Sequence, residues 1–346
     1  MKRIFLNFVF FMLFFPVINL GLGIVGDIQS TEKANEVTID EIVKADFDNR
    51  FILIESYFEK RFPARNWIIQ KYNYFVWFLL DSSPKRRVVR GLEDWLYIFW
   101  GQSPNGRDYS FKKKEFEIHK IGVEKLRQFC THKGIKFYSA VVPEKFNIYP
   151  EYLKPDDFST IKRDKYFKIH EEYRKSKNPT IFFHEELFLT KPLRNVYYKT
   201  DTHWNSNGAF IASKKVISII KQDFPNLSEL RESDFDLVQV QSKGKDLGDF
   251  LSLGDYLKDD EFLYISKKNE KGKVADLHIV VIHDSYFYPM HTFFNQRFTK
   301  VDAFNFVQNE NMDPLVNILN SKPDIVLFIT LERHIGNFDN RVFSIL

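Results

Sequence analysis

The sequence predicts an α/β fold in which helices pack on a mostly parallel sheet, and three observations support this prediction. Short apolar runs alternate with helical segments from about residue 112 onward, which is the pattern of a layered α/β domain. Residues 277–282 (LHIVVI) form a strongly apolar run without alternation, in which His278 is the one polar residue, as expected of a strand buried on both faces. The 346 residues are 44% hydrophobic and 28% charged, which excludes a mainly disordered or fibrous chain.

The first 26 residues predict a membrane segment. Residues 4–26 carry no charged side chain, and about 20 apolar residues are enough to cross the hydrocarbon core of a bilayer. Lys2 and Arg3 precede the run and Asp27 follows it, which places the short end in the cytoplasm. A cleaved signal peptide is the competing interpretation. Both interpretations place residues 27–346 outside the cytoplasm, which is the periplasm in a Gram-negative cell.

Residues 27–85 predict a polar linker followed by a helical segment. Apolar side chains recur at helical spacing over 46–80, with a break at Pro63. Residues 81–85 combine an aspartate, two serines and a proline, a composition that is typical of a turn. We assign the remaining residues, 86–346, to one further domain.

The elements predicted within residues 86–346 alternate between strand and helix. Residues 228–273 are polar and contain glycines, so we expect an excursion from the domain there. The predicted elements are a hairpin at 87–100, a helix at 112–133 ended by Gly134, strands at 135–142 and 180–183, a helix at 207–223, strands at 277–282 and near 299–304, a helix near 314–320 and a last strand at 324–331.

Composition excludes two classes of protein. The 50 basic and 46 acidic residues are spread evenly along the chain, whereas a nucleic-acid partner needs basic residues clustered on one face. Cys130 is the only cysteine, so a disulfide framework and a multi-cysteine metal site are excluded.

Reactive side chains concentrate in three places. Asp201 and His203 lie in a loop before a predicted helix, Ser285 directly follows the apolar run 277–282, and residues 332–334 (ERH) follow the last strand. Loops at the carboxyl ends of parallel strands converge on one crevice. One hypothesis is a triad in which Ser285 is the nucleophile, His203 the base and Asp201 the residue that orients the imidazole.

A metal site is the alternative hypothesis for the same loops. Asp201, His203, His283 and Asp284 offer imidazole nitrogen and carboxylate oxygen, which are suitable ligands for zinc or manganese. Spacing alone does not decide between the two hypotheses.

Seven segments occur in order along residues 50–340: 61–65 (RFPAR), 91–97 (GLEDWLY), 142–150 (VPEKFNIYP), 201–205 (DTHWN), 248–250 (GDF), 283–286 (HDSY) and 322–333 (KPDIVLFITLER). In this combination they resemble motifs of the alginate O-acetyltransferase family of SGNH-hydrolase-like proteins, which implies that residues 86–346 are the catalytic domain. Two residues depart from the family pattern, since Asp94 replaces a second glycine and His283 replaces the glycine before Asp-Ser.

The resemblance implies a three-layer SGNH-like fold in which Asp201 and His203 precede Ser285, and it makes these three residues the catalytic triad. It also implies site positions for four residues, each with a structural alternative. Trp204 and Tyr286 either stack on a sugar face or belong to the core. Lys145 either serves the site or caps a loop, and Arg333 either serves the site or forms a salt bridge.

The function implied by the resemblance is that of a membrane-anchored, extracytoplasmic O-acetyltransferase acting on an exported polysaccharide through an acetyl-serine intermediate. No metal or nucleotide cofactor is implied, and the acetyl group is expected from a multi-spanning membrane acyltransferase. A polysaccharide acetylesterase is one alternative. A non-catalytic subunit of an acetylation complex is another, and His283 is the feature that favours it.

Overall fold

The computed structural model describes residues 14–15, 18–19, 22–24, 37–61, 65–100, 106–176, 179–267, 275–336 and 340–343. They divide into two compact units. One consists of the described residues of 1–85 together with Gly248–Tyr256, and the other of the described residues of 86–247 and 257–346.

Strands and helices alternate along much of the described chain. The strands are β1 (Val88–Arg90), β2 (Leu96–Ile98), β3 (Lys136–Val142), β4 (Thr180–Phe182), β5 (Phe235–Lys243), β6 (Lys258–Ser266), β7 (Ala275–His283), β8 (Phe298–Asn305) and β9 (Ile325–Leu331). The helices are α1 (Ile39–Lys44), α2 (Phe47–Arg61), α3 (Arg65–Leu79), α4 (Lys113–His132), α5 (Lys145–Ile148), α6 (Pro155–Thr160), α7 (Lys165–Lys175), α8 (His184–Thr190), α9 (Ser206–Asp223), α10 (Asp246–Phe250), α11 (Tyr288–Phe294), α12 (Asp313–Asn320) and α13 (Asn340–Phe343).

A five-stranded sheet forms the centre of the larger unit. Its strand order is β4-β3-β9-β7-β8, and every neighbouring pair is parallel. The predicted α/β fold with a mostly parallel sheet is therefore confirmed. The carboxyl ends of β3, β7 and β9 meet at one edge near the middle of this sheet, which is where a crevice forms in open α/β folds.

The two faces of the sheet are covered by different helices. Ile279 and Val281 belong to the core that includes α9 and α11. Val280 and Ile282 belong to the core that includes α4 and α12. Successive side chains of a strand point to opposite faces, so a strand covered on both faces is apolar at successive positions, as residues 279–282 are; His278, which is only partly buried, pairs with Asp302 at 2.8 Å.

The sequence did not predict the hairpin formed by β5 and β6. These strands pair antiparallel from Phe235 with Ser266 to Lys243 with Lys258, within the segment 228–273 that was expected to be an excursion from the domain. Most of their residues are exposed or only partly buried, so a strong apolar pattern is missing. The helices α5–α7 between β3 and β4, and α8 directly after β4, were also not predicted.

The turn between β1 and β2 explains one departure from the resembled motif. Asp94 has φ of 61°, in the left-handed region that normally favours glycine and that aspartate tolerates better than most residues. Arg90 also pairs with Asp94 at 3.3 Å. Aspartate can therefore occupy the position of the motif's second glycine.

The smaller unit contains the helices predicted over 46–80. They are α2 and α3, and the predicted break at Pro63 lies outside the described residues. Asn73 of α3 donates a hydrogen bond from Nδ2 to the carbonyl of Leu251 at 2.6 Å. Most of residues 1–26 are also outside the described residues. No helix within the described part of the chain is long and apolar enough to span a bilayer, so the membrane helix stays a prediction.

Candidate active site

Ser285 lies at the start of a single 3-10 turn, Ser285–Phe287, directly after β7. Asp284 fixes this turn. Its Oδ1 accepts a hydrogen bond from the Tyr286 N–H at 3.0 Å, and its Oδ2 accepts one from the Leu331 N–H at 2.6 Å and lies 2.9 Å from Nδ1 of His334. Burial opposes the charge, but these contacts hold the pKa of Asp284 below its ordinary value. The buried carboxylate thus ties the Ser285 turn to the end of β9.

His203 connects Ser285 to Asp201 through a chain of hydrogen bonds. Its Nε2 lies 2.8 Å from Ser285 Oγ, and its Nδ1 lies 2.7 Å from Asp201 Oδ1. The backbone N–H of His203 donates to the same Oδ1 at 2.9 Å. The fold therefore brings together the three residues that the sequence placed in two distant loops.

The electrostatics of this pair suit a general base. Burial favours neutral imidazole, but the hydrogen bond to Asp201 and its charge outweigh burial and raise the pKa of His203. Burial also opposes ionisation of Asp201, yet its bonds to His203 keep the pKa of Asp201 at about 2. Asp201 is thus a carboxylate at neutral pH. It holds the proton of His203 on Nδ1 and leaves Nε2 to accept the proton of Ser285.

Trp204 and Tyr286 tie the two loops together from inside the core. Trp204 donates from Nε1 to the carbonyl of Tyr286 at 2.9 Å, and Tyr286 donates from its hydroxyl to the carbonyl of Thr202 at 2.7 Å. Both side chains are 0% exposed. The interpretation that they stack on a sugar face is therefore wrong, because neither ring has a free face, and the core interpretation applies to both.

Lys145 caps the loop that carries Asp201. Its Nζ donates to the carbonyls of Tyr198, Lys199 and Asp201 at 3.1, 3.0 and 2.6 Å. Burial lowers the pKa of Lys145 to about 8, against the opposing charges of nearby carboxylates. The loop-capping alternative describes these contacts, and Lys145 acts on the site by holding this backbone.

The burial of Lys145 predicts a pH dependence of stability. Its pKa of about 8 lies below the ordinary 10.5, so between these values the unfolded chain binds more protons than the folded one. The contribution of Lys145 to the free energy of unfolding therefore increases with pH between these two pKa values, by roughly 3 kcal/mol in all. Urea unfolding measured across this pH range should show the increase in the wild type and not in Lys145→Met. The exposed Lys162→Met variant should follow the wild type, and parallel curves for Lys145→Met and wild type would contradict the argument.

Arg333 forms a buried ion pair behind the serine turn. Its Nη1 lies 3.3 Å from Oε1 of Glu144, as the salt-bridge alternative proposed. The neighbouring Glu332 accepts hydrogen bonds at Oε1 from the Glu144 N–H at 3.2 Å and from Asn147 Nδ2 at 2.7 Å. Burial raises the pKa of both glutamates. These contacts join the segment after β3 to the end of β9.

Two site residues were missed by sequence reasoning: Asp246, in the connection between β5 and β6, and Asp259, on β6. Asp259 accepts hydrogen bonds from the Lys199 N–H at 2.6 Å, from the Thr200 N–H at 2.8 Å and from the Thr200 hydroxyl. Asp246 accepts from the Thr202 N–H at 3.2 Å and from the Thr202 hydroxyl at 3.3 Å. The segment resembling the family at 248–250 was the nearest signal, but it did not single out either aspartate.

Asp259 is expected to be important for stability. Replacing it with alanine leaves the three donors of Lys199 and Thr200 without their buried acceptor, and the free energy of unfolding should fall by about 3 kcal/mol. Chemical denaturation of Asp259→Ala measures this loss. Asp260→Ala removes the adjacent exposed carboxylate and should change stability little. Equal stability of the two variants would contradict the anchoring role.

The proposed set of metal ligands is not assembled. Both oxygens of Asp284 contact protein groups, and His283 is bonded through Nδ1 to the Asp284 carbonyl at 2.6 Å. Its ring packs against Phe287 and Tyr288. Asp246 is the group that lies with Asp201 and His203, with candidate ligand atoms within 4.8 Å of one another.

The site's own hydrogen bonds favour the triad over metal binding. His203 Nδ1 is hydrogen-bonded to Asp201 Oδ1, and His203 Nε2 is hydrogen-bonded to Ser285 Oγ. A cation bound between Asp201, His203 and Asp246 would have to break the hydrogen bond between Asp201 and His203.

The chain is similar to proteins named probable alginate O-acetylase AlgJ. It is 26% identical over 211 residues to the one from Pseudomonas fluorescens and 24% identical over 204 residues to the one from Pseudomonas syringae pv. tomato. Each match covers 58% of this chain and 50% of the relative, so the chain spans about half the length of these curated relatives.

A solved structure supports the fold, and a family model gives the classification. Bacillus cereus PatB1 superposes with a TM-score of 0.56 at 16% identity, over 72% of this chain and 99% of that one. The family model described as SGNH hydrolase-like domain, acetyltransferase AlgX, matches residues 88–264, just over half of the chain. This match contains Asp201, His203 and Asp246 and ends before Ser285. The chain therefore belongs to the family of AlgX-type SGNH hydrolase-like acetyltransferase domains.

Proposed function

We propose that this protein is an O-acetyltransferase that transfers an acetyl group to a hydroxyl of an exported polysaccharide. The hydrogen-bonded series Asp201, His203 and Ser285 is the observation that carries the proposal. The family description and the relatives named alginate O-acetylase support the acetyl group and the polysaccharide as substrates.

The first half of the reaction forms an acetyl-serine. His203 takes the proton of Ser285 through Nε2 while Oγ attacks the acetyl carbonyl of the donor. The resulting oxyanion faces the N–H of Ser285, for which no described residue is an acceptor, and this donor stabilises the developing charge. The tetrahedral intermediate then collapses, and His203 returns the proton to the leaving group. Ser285 is left as an acetyl ester.

The second half of the reaction transfers the acetyl group to the sugar. His203 removes the proton of an incoming sugar hydroxyl, whose oxygen attacks the acetyl carbonyl of the ester. Collapse of this intermediate releases the acetylated sugar and returns the proton to Ser285 Oγ. Asp201 remains ionised throughout and stabilises the imidazolium formed in each half.

The cellular setting is part of the same proposal. An N-terminal membrane helix holds the domain outside the cytoplasm, because residues 4–26 are uncharged and follow Lys2 and Arg3. Acetyl-CoA is a cytoplasmic donor, so a multi-spanning membrane acyltransferase delivers the acetyl group across the membrane. The protein uses no nucleic acid, metal or nucleotide cofactor in this scheme.

The packing of His283 is compatible with a catalytic site. Its side chain is 1% exposed and packs between aromatic rings after β7, while Ser285 keeps its contact with His203. The glycine position therefore accepts histidine without loss of the hydrogen-bonded series. An acetylesterase would use the same groups, with water in place of the sugar hydroxyl.

Activity should depend on pH through His203. The base must be neutral, and its pKa is raised above the ordinary 6.5. The acidic limb of kcat/KM for 4-nitrophenyl acetate is therefore expected above pH 6.5, with activity lost as pH falls through it. Stopped-assay rates between pH 5 and pH 9 (about the stable range of most proteins) measure this limb. A limb well below pH 6.5 would contradict the assigned role of His203.

Product analysis distinguishes transfer from hydrolysis. The full chain is incubated with 4-nitrophenyl acetate and alginate oligosaccharides, and both nitrophenol and acetylated sugar are quantified. A transferase yields acetylated oligosaccharide in proportion to nitrophenol, whereas an esterase yields free acetate alone. Absence of Ser285-dependent nitrophenol release would overturn both interpretations.

A further inference from the structure

We propose that Asp246 is a positioning residue for the triad, which holds the Asp201–His203 loop through Thr202 and places a second carboxylate behind the imidazole. The inference rests on the proposed function, because it concerns the basicity of His203 as the catalytic base. It assigns a role to a residue that belongs to the hairpin excursion and is far from the triad in sequence.

Asp246 contacts the loop at its centre. Thr202 stands between Asp201 and His203, and both its N–H and its hydroxyl donate to the carboxylate of Asp246 at 3.2 and 3.3 Å. The Thr202 hydroxyl also lies 3.2 Å from Nδ1 of His203. The same carboxylate therefore fixes the backbone of the loop and the hydroxyl that neighbours the imidazole.

A second anchor holds Asp246 in place relative to the loop. The N–H of Lys245 donates to the hydroxyl of Thr200 at 2.8 Å, and the N–H of Leu247 donates to the carbonyl of Thr200 at 3.0 Å. Both neighbours of Asp246 are thus bonded to the residue that precedes Asp201. These two hydrogen bonds hold the backbone on both sides of Asp246, and so fix the position of its carboxylate relative to Thr202.

The charges around His203 come from four groups on different elements. Asp201 and Asp246 raise the pKa of the imidazole, while Arg333, which follows β9, lowers it. Lys145 of α5 faces the two carboxylates and favours their ionised forms. Removing the charge of Asp246 leaves Arg333 opposed by Asp201 alone, so His203 should become a weaker base.

The ionisation of Asp246 is consistent with this location. Asp246 is an exposed residue, yet loss of hydration at the carboxylate and the charge of Asp201 raise the pKa of Asp246 to about 7. Two carboxylates this close repel each other, but the charges of protonated His203 and of Lys145 favour the ionised form of Asp246, so Asp246 carries its charge when the imidazole is protonated. The low pKa of Asp201 and the raised pKa of Asp246 assign them different roles, with Asp201 the permanent partner of His203.

The test compares full-length Asp246→Asn with wild type. The amide keeps an oxygen for the Thr202 N–H but removes the charge. We expect the acidic limb of the kcat/KM profile to move to lower pH by about 1 unit and kcat at its plateau to fall about tenfold. Asp246→Glu keeps the charge and should restore the position of the limb, even where its longer side chain reduces kcat.

Two further variants make the outcomes decisive. Asp260→Asn removes one exposed charge from the same hairpin and should leave the limb unmoved. Thr202→Val removes the hydroxyl contact but keeps the charge, so it should lower kcat without moving the limb. A pH profile of Asp246→Asn that equals that of the wild type overturns the proposal. The proposal also fails if Asp246→Asn and Asp246→Glu both lose kcat while the acidic limb of kcat/KM stays in place in each.

The proposed function fails separately from this inference. Activity that persists in Ser285→Ala would remove the triad as the catalyst, whatever Asp246 does. Activity that depends on Ser285 but shows no response to Asp246→Asn would leave the triad standing and reject the positioning role.

Discussion

Replacing Ser285 with alanine is expected to lower kcat/KM for 4-nitrophenyl acetate by about 10⁴-fold or more. In the proposed mechanism the Ser285 hydroxyl is the group that bonds to the acetyl carbon, and it lies 2.8 Å from Nε2 of His203, its proposed base. Alanine removes one oxygen from a partly buried position, so the melting temperature should change little. Nitrophenol release and thermal unfolding, measured on the same preparations, give the two numbers.

The control for Ser285→Ala is the double variant. His203→Ala should cause a loss of similar size, and the pair should be no worse than the poorer single variant, because the two residues act as one unit. Losses that multiply would mean that the two side chains act independently. A fluorophosphonate probe should label the wild type and neither variant.

Replacing Asp201 with asparagine is expected to reduce kcat by about 10⁴-fold while the protein stays folded. The amide oxygen can still accept the hydrogen bond that the His203 N–H now donates to Oδ1. The lost feature is the negative charge that raises the pKa of His203 and keeps its proton on Nδ1. Without that charge the imidazole is a weaker base and can present the wrong tautomer to Ser285.

The comparison for Asp201→Asn is Asp260→Asn, which neutralises an exposed carboxylate and should keep full activity. The acidic limb of the pH profile should also fall below that of wild type in Asp201→Asn. Near-normal kcat with an unmoved limb would show that Asp201 does not orient His203.

The sequence was sufficient to predict the strands and helices whose burial is regular. Residues 277–282 predicted a strand that is covered on both faces because α9 and α4 pack on opposite sides of β7. Gly134 predicted the end of α4, and it has φ of 72°, the left-handed conformation usual after a helix. The choice of Asp201, His203 and Ser285 as a triad, in place of a metal site, followed from a family resemblance and not from spacing.

The parts that could not be predicted depend on contacts across long stretches of chain. Asp246 is hydrogen-bonded to Thr202, 44 residues away in the chain, and Asp259 is hydrogen-bonded to Thr200, 59 residues away. Both aspartates belong to β6 or to the segment that connects it to β5, and this part of the chain is largely polar. No local pattern distinguishes them from other aspartates. The sequence also did not decide whether Trp204 and Tyr286 stack on a sugar or belong to the core, because their burial depends on how distant segments pack; both are 0% exposed in the folded chain.

Trapping the acetylated enzyme shows whether Ser285 carries the acetyl group during the reaction. The full chain is mixed with 4-nitrophenyl acetate, quenched in acid within the first turnover and digested for mass spectrometry. We expect the mass of one acetyl group on the peptide that contains Ser285, absent in Ser285→Ala and lost from the wild type when sugar acceptor is added before the quench. Acetyl on another residue, with Ser285 unmodified under all of these conditions, would contradict it.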